Sequence, residues 1–568
     1  MNALVVSEPG ANGVFTYVEA LCHFLVSQGV RTHLAYSDRR GTDRLSELVR
    51  FIEANAGQTA NLEVGSGPGP GDVRAFLRLR RLALRVRPDV VHCHSSKAGI
   101  LGRSLAVIGI RASYFYHPHA YYGMGPGRGA FGPAYDAAEA LFGRIGTTIV
   151  VSSDERLFAA NRLRIPPRRL RTIPNGIDTD RFRPAARGEK PVLRGSFGVP
   201  AGRIVLGAMC RLSPQKDPAT LYRAFAAASR ERPELHLLHV GSGELEGEVG
   251  RIAKELGIAG RVTRLAYLSD PASFYRAVDG FILTSTYEGL SLAALEAMSA
   301  DLPLVLSQAS GNSDLLRLPL SHAWGAAPGD VDGFAKAIGR WHASHLSRRP
   351  TNHRSIAMER FNCRSAQAAV LEQYRESDAT AGAVSAWSAR LPVCTWLALV
   401  MCESTDRFSR ANTRRLLYPP FHLATGVSYG DFYEWNAVLR KIGHVFLYAV
   451  LSLLLYRWSA REFRRGRPGS WSLPCAALAL LGTVLAASLD EWHQTMVPSR
   501  TGTVADVILD AAAALAAQIL VFFASAPART PGNAAVRRAP HPPQTQAARP
   551  WRPVGPAEDA ATETSAKG

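Results

Sequence analysis

The sequence predicts two α/β domains in series, followed by an all-α membrane domain of four transmembrane helices. Three observations carry this prediction. Short apolar strands alternate with helices over residues 1–376, the pattern of parallel sheets covered on both faces. A stretch rich in Pro, Gly and Arg at 172–200 interrupts the series like a hinge. Beyond residue 386, apolar segments at about 391–402, 442–456, 472–489 and 505–524 replace the alternation, and the last two approach the ~20 residues that span a bilayer.

At 568 residues the chain is too long for one core. Its net charge of +19 points to an anionic partner. Arg and Lys are spread along the whole chain, and neither zinc-finger spacing nor an aromatic–basic repeat is present. Phosphorylated small molecules and anionic lipid are therefore expected as partners, and nucleic acid is not. Seven scattered cysteines without a CxxC pair fit a reducing compartment and argue against a disulfide framework. The N-terminus lacks a basic region followed by a long apolar run, so no cleaved signal peptide is expected.

The first domain opens with the strand ALVV (3–6), a loop containing Asn12-Gly13, and a helix from about Val14 to Gly29. THLAY, DVVHCH (89–94), ASYFYH and TTIVVS supply further strands. Ligands of such sheets sit at the carboxyl ends of the strands, which draws attention to Gly13 and to His117 and His119. His92 and His94 share one face of a strand, but no third ligand is evident nearby, and no metal is assigned. Two acidic triplets, at 178–180 and 330–332, are likewise left without a metal. The second domain begins at RIVLGAM (203–209). Arg211 and Lys216 follow that strand, where two cations would neutralise a diphosphate. Gly241 and Gly243 end the strand of LHLLHVGSGEL. A helix is expected near 331–345, and another over 359–376 that packs back on the first domain.

Residues 281–305, FILTSTYEGLSLAALEAMSADLPLV, read as strand, loop, helix and strand. Ser291 is a good N-cap. The free N–H groups of the helix start favour phosphate, and Gly289 permits close approach. Glu288 and Glu296 place two acceptors beside that pocket, suited to the hydroxyls of a nucleotide sugar. An ordinary βαβ unit with surface glutamates is the alternative.

VSSDERLF with IPNGIDTDRF (151–182), RLSPQK (211–216), VGSGEL (240–245) and EGLSLAALEAMSADLP (288–303) occur in an order and spacing that resemble the retaining glycosyltransferases of family four. The resemblance covers 1–376 and implies a GT-B fold of two Rossmann-like domains, 1–180 for the acceptor and 181–376 for the nucleotide sugar. It implies that Arg211 and Lys216 grip the donor phosphates, that Glu296 bonds the ribose and that Glu288 contacts the transferred sugar. His119 matches the histidine at the family's cleft, and Gly13 its N-terminal glycine loop. Gly241, Gly289, Leu290 and Ser291 complete the expected donor site. The acidic triplet at 178–180 belongs to the hinge motif. No cofactor and no metal are implied. The chain departs from the family at Asn12-Gly13, where two glycines are usual, at Ala120, where glycine follows the histidine, and at Ala300-Asp301, where a small residue and glycine are usual.

In the C-terminal third, RKIGHVFLYAV and LDEWHQTMVPSRTGTVADVILDAAAA resemble a VanZ-like membrane domain over 386–525. Asp490, Glu491, His493, Gln494 and Arg500 crowd near the end of one span, with His444 at similar depth and Asp506 and Asp510 one turn apart on the last span. Ionisable residues at membrane depth are costly and point to function. A polar cap on the helix ends is the alternative. The basic loop 457–467 is expected to be cytoplasmic, which places both termini in the cytoplasm. Residues 526–568 read as a disordered basic tail that attracts anionic lipid.

The expectation is a glycosyltransferase of the bacterial inner membrane. It would transfer sugar with retention from a nucleotide diphosphate donor to a lipid-linked or envelope glycan. Two alternatives stay open: an envelope or glycopeptide-resistance protein whose N-terminal region only binds a nucleotide sugar, and a sugar-nucleotide epimerase.

Overall fold

A computed structural model describes residues 1–524 except 11, 40, 66, 126–131, 348–349, 379–391, 402–417, 420–421, 424–425, 464–470 and 497–502. Arg500 and the tail therefore lie outside the described residues. The first seven strands are β1 (Asn2–Ser7), β2 (Arg31–Tyr36), β3 (Thr59–Asn61), β4 (Val90–His94), β5 (Ser113–His117), β6 (Thr147–Val150) and β7 (Leu170–Thr172). They form one parallel sheet in the order β3-β2-β1-β4-β5-β6-β7. The second sheet contains β8 (Ile204–Met209), β9 (Leu235–Val240), β10 (Val262–Leu265), β11 (Gly280–Leu283), β12 (Leu304–Ser307) and β13 (Ala323–Ala326), in the order β10-β9-β8-β11-β12-β13. β3, β7 and β13 span only three or four residues each, too short to show a strand pattern in the sequence. The central strands are continuous apolar runs because helices cover both faces, and β1, β4, β8, β9 and β11 are almost wholly buried.

Both sheets have their strand order reversed at the centre, beside β1 and beside β8, so the loops after these strands diverge to opposite faces and leave a crevice. The hinge carries a helix of its own, Glu189–Ser196, tied to the second domain through Arg194 and Asp279 (2.5 Å). The single helix expected over 359–376 is two helices, His353–Arg360 and Cys363–Asp378. The break occurs because the backbone there pairs with the hinge: the Ile177 N–H donates to the Phe361 carbonyl (2.8 Å) and the Cys363 N–H to the Ile177 carbonyl (3.0 Å). Val370, Leu371 and Tyr374 of the last helix pack into the first domain's core.

The C-terminal region contains the helices Tyr429–Phe463, Leu473–Thr495 and Val504–Ala524, each long and apolar enough to cross a membrane, and a shorter apolar helix, Pro392–Met401. The first long helix extends well beyond the expected 442–456 because it continues unbroken through residues 440 and 441. Gln518 Nε2 donates to Ser452 Oγ (2.7 Å), a polar bond between helices of the kind that holds apolar bundles in register.

Candidate functional site

The Glu288 loop joins β11 to the helix Leu292–Ser299. Ser291 caps that helix, its hydroxyl accepting the Ala294 N–H (3.3 Å). The N-terminal amides therefore open into the crevice, where they favour an anion. Lys216, just beyond β8, forms an ion pair with Glu288, whose carboxylate also accepts the Ser285 hydroxyl (2.6 Å). Both partners are largely buried, so the pair is a fixed dipole rather than a mobile surface contact. Arg211 is exposed at the same strand end, and its guanidinium donates to the Gln215 amide oxygen (3.5 Å). Glu296 accepts the Tyr275 hydroxyl (2.6 Å), and burial pushes its carboxyl up to about 7.

Gly241 has φ +145°, and a Cβ there would lie 1.9 Å from the Cys210 carbonyl oxygen. Only glycine lets the turn after β9 approach the loop after β8 so closely. Leu290 is buried, and its carbonyl accepts the Asn175 amide (2.9 Å), which ties the hinge motif to the donor loop.

His119 lies in the turn after β5, directly across from Gly289. A Cβ on Gly289 would lie 2.9 Å from the Ala120 nitrogen and 3.0 Å from the His119 carbonyl carbon, so the two domains meet backbone to backbone. Gly13 faces Leu292 across the same junction, at 3.5 Å from an added Cβ. His119 and Ala120 both have positive φ, +57° and +96°. Glu155, fully buried, holds this turn by accepting the Ala120 N–H (2.8 Å) and the Val151 N–H (2.7 Å). Burial raises its carboxyl to about 7, against the pull of those two donors. Glu155 and Asn175 were within motifs quoted from the sequence, but their positioning roles depend on contacts that spacing alone does not display.

Both acidic triplets serve the backbone. Asp178 Oδ1 accepts the N–H groups of Asp180 and Arg181, each at 3.0 Å, and Asp330 caps its helix through the Gly333 N–H (2.8 Å).

Residues 11–181 match the family Glycosyltransferase Family 4, residues 189–355 match Glycosyl transferases group 1, and residues 391–525 match VanZ/LLP1. The chain is a glycosyltransferase of the GT-B fold with a VanZ-like domain at its C-terminal end. Among curated relatives, the Escherichia coli UDP-Gal:alpha-D-GlcNAc-diphosphoundecaprenol alpha-1,3-galactosyltransferase is 28% identical, covering 47% of this chain and 70% of that protein. The D-inositol 3-phosphate glycosyltransferase of Saccharomonospora viridis is 28% identical over 66% of this chain and 91% of its own. Two solved structures share the fold. Anabaena HepE in complex with UDP has a TM-score of 0.54 at 20% identity, covering 66% of this chain and 100% of its own. Sucrose-phosphate synthase from Thermosynechococcus elongatus has a TM-score of 0.57 at 19% identity, covering 67% and 100%.

Behind the glycosyltransferase crevice lies a histidine stack that the sequence did not disclose. The third histidine beside His92 and His94 is His117, because β4 and β5 pair with His94 opposite His117. These three rings offer nitrogens within 4.8 Å of one another, a spacing that could hold a metal ion. His117 stacks on His119 with ring centroids 4.0 Å apart, and His94 Nδ1 lies 3.0 Å from His119 Nε2. His92 Nδ1 meets the Tyr374 hydroxyl (2.6 Å) of the returning helix. Burial holds His92 and His119 neutral, each lowered to about 3.

In the VanZ-like domain, Asp490, Glu491 and Gln494 are buried and His493 is on the exposed face of the same helix. Asp490 accepts the Tyr448 hydroxyl and the Gln494 amide, each at 3.0 Å. Asp506 accepts the Thr503 hydroxyl (2.7 Å) at the start of the last helix. His444, Glu491 and Asp510 form a second set with donor atoms within 4.8 Å of one another.

Proposed function

We propose that this glycosyltransferase moves a sugar from a nucleotide diphosphate donor to a lipid-linked or envelope glycan, retaining the anomeric configuration. The observation that carries the reading is the buried Lys216–Glu288 pair, set beside the Ser291 helix start and facing the His119 turn across Gly289. Lys216, Arg211 and the helix amides stabilise the departing diphosphate, preorganised charge of a kind that lowers a barrier by several kcal/mol. In this reading no metal is needed for the diphosphate. Glu288 contacts the transferred sugar and Glu296 the ribose. Neutral His119 offers the acceptor side a hydrogen bond. The leaving phosphate takes the acceptor's proton as the sugar transfers on the same face.

The name of the Escherichia coli relative specifies a UDP-sugar and a lipid-diphosphate acceptor, which supports the same substrate classes here. The reading places the chain in the bacterial inner membrane, with the catalytic domains and the C-terminus cytoplasmic and the product in polysaccharide or envelope synthesis. Arg457, at the basic end of the first long span, donates to the Val107 carbonyl (2.6 Å) of the first domain. This contact supports a first domain on the side where basic residues collect.

The test is to incubate the purified protein with a panel of nucleotide sugars and membrane lipids and to detect products by mass, with the product anomer read by NMR. Transfer that survives Glu288→Ala combined with Lys216→Ala sinks the site assignment. Product sugar still attached to nucleotide, with no acceptor required, identifies an epimerase instead. A reporter fused after Gly568 that proves external overturns the topology.

A further inference from the structure

We propose that the VanZ-like bundle holds a divalent metal ion of the zinc class on His444, Glu491 and Asp510. Each of the three long helices contributes one of these side chains, and their donor atoms lie within 4.8 Å of one another. Asp510 is 1% exposed, and among the described residues neither of its carboxylate oxygens has a hydrogen-bond partner. Its contact with His444 is long, at 3.7 Å from Oδ2 to Nδ1. A carboxylate without donors, inside an apolar bundle, is costly unless a cation or a proton compensates it.

The neighbouring polar groups are already engaged. Asp490 Oδ2 accepts the Tyr448 hydroxyl and the Gln494 amide. Glu491 accepts the Thr503 N–H on Oε2 (2.9 Å), which orients the group and leaves Oε1 for a ligand. One imidazole and two carboxylates thus converge here from three helices.

Charge favours a metal here over the histidine stack of the first domain. His92, His94 and His117 are neutral donors, so a divalent cation among them would be a buried charge without a counter-ion. Glu491 and Asp510 together carry two negative charges, which a divalent ion neutralises. Donors about 2.0–2.2 Å from a zinc ion lie ~3–4 Å apart, so small side-chain movements close the observed spacing. Imidazole with carboxylate suits zinc and manganese better than magnesium, which prefers an all-oxygen shell. Three protein donors leave a tetrahedral ion one open position, the arrangement of a site that binds water or an oxygen of a substrate.

The experiment uses the full chain in detergent, stripped with chelator, reloaded with Zn2+ alone, washed, and measured for bound metal by elemental mass spectrometry. Wild type is expected to retain one more ion per chain than Asp510→Asn or Glu491→Gln. Tyr448→Phe, which alters only the bond to Asp490, should retain the wild-type amount. Monodisperse elution and unchanged helicity establish that each variant is folded. Equal metal in wild type and Asp510→Asn overturns the proposal, because any ion then belongs elsewhere. Absence of bound metal in wild type overturns it too, and assigns the compensation of Asp510 to a proton.

Discussion

Adding one methyl group at Gly289 tests whether the site is assembled by closure of the two domains. No positive φ is recorded at this glycine, so alanine meets no backbone penalty there. The cost arises across the crevice. The new Cβ would lie 2.9 Å from the Ala120 nitrogen, 3.0 Å from the His119 carbonyl carbon and 3.2 Å from its oxygen. All three are backbone atoms, and Glu155, itself anchored by the Val151 N–H, pins their turn by accepting the Ala120 N–H. They cannot rotate aside as a side chain would, so the loops must part by about half an ångström to reach ordinary contact. Overpacking of this kind costs about 1–3 kcal/mol. If that cost falls on the closed, reactive state, kcat/KM drops by roughly 5- to 150-fold. The assay is steady-state sugar transfer, with thermal unfolding measured in parallel. Each domain keeps its own core, so the unfolding temperature should change little. Transfer at the wild-type rate by Gly289→Ala would refute the reasoning, because the His119 turn and the Glu288 loop would then not need to touch.

Ala120→Gly should stabilise the first domain by about 1 kcal/mol, since φ +96° strains alanine and not glycine, and thermal unfolding checks the direction. Arg103 and Glu139 form a buried pair at 3.0 Å, with the Tyr116 hydroxyl also donating to Glu139 (2.7 Å). Arg103→Met leaves that carboxylate unpaired and should cost about 3–5 kcal/mol, seen as a large fall in unfolding temperature. The buried histidines predict acid sensitivity. His92 and His119 stay neutral in the folded chain down to about 3, whereas the unfolded chain protonates them below 6.5. The unfolded state thus binds more protons, and stability is lost as pH falls from about 6.5. Glu155 acts oppositely, holding a proton up to about 7 when folded and only to 4.5 when unfolded, so Glu155→Gln should make the acid loss steeper between those values. Unfolding temperature measured across this range tests both signs.

The donor side of the site was legible in the sequence because its geometry is local. A strand, a glycine loop and a capped helix occupy consecutive residues, so Glu288, Gly289 and Ser291 take their relative positions from backbone rules alone. Lys216 follows the neighbouring strand, where ligands of parallel sheets collect. The departures from the family pattern were also visible, and φ explains two of them. Ala120 and Asp301 both occupy left-handed backbone where glycine is usual, and Asp301 compensates by accepting the Arg354 N–H (3.0 Å).

Other features depended on which segments become neighbours. The strand pairing that sets His117 opposite His94 creates the histidine stack, and Tyr374 reaches it from a helix 282 residues beyond His92. The last helix breaks at Phe361 and Asn362 because the hinge claims their backbone, a competition invisible in the apolar period of residues 359–376. His444, Glu491 and Asp510 were visible as ionisable residues in apolar segments, but their convergence depends on the rotation of three packed helices. The sequence by itself determined strands, caps, spans and the residue types of the donor loop, since these follow from short-range periodicity and backbone chemistry. Only the tertiary structure decided which buried groups face one another, because burial and pairing are set by the packing of elements distant in the chain.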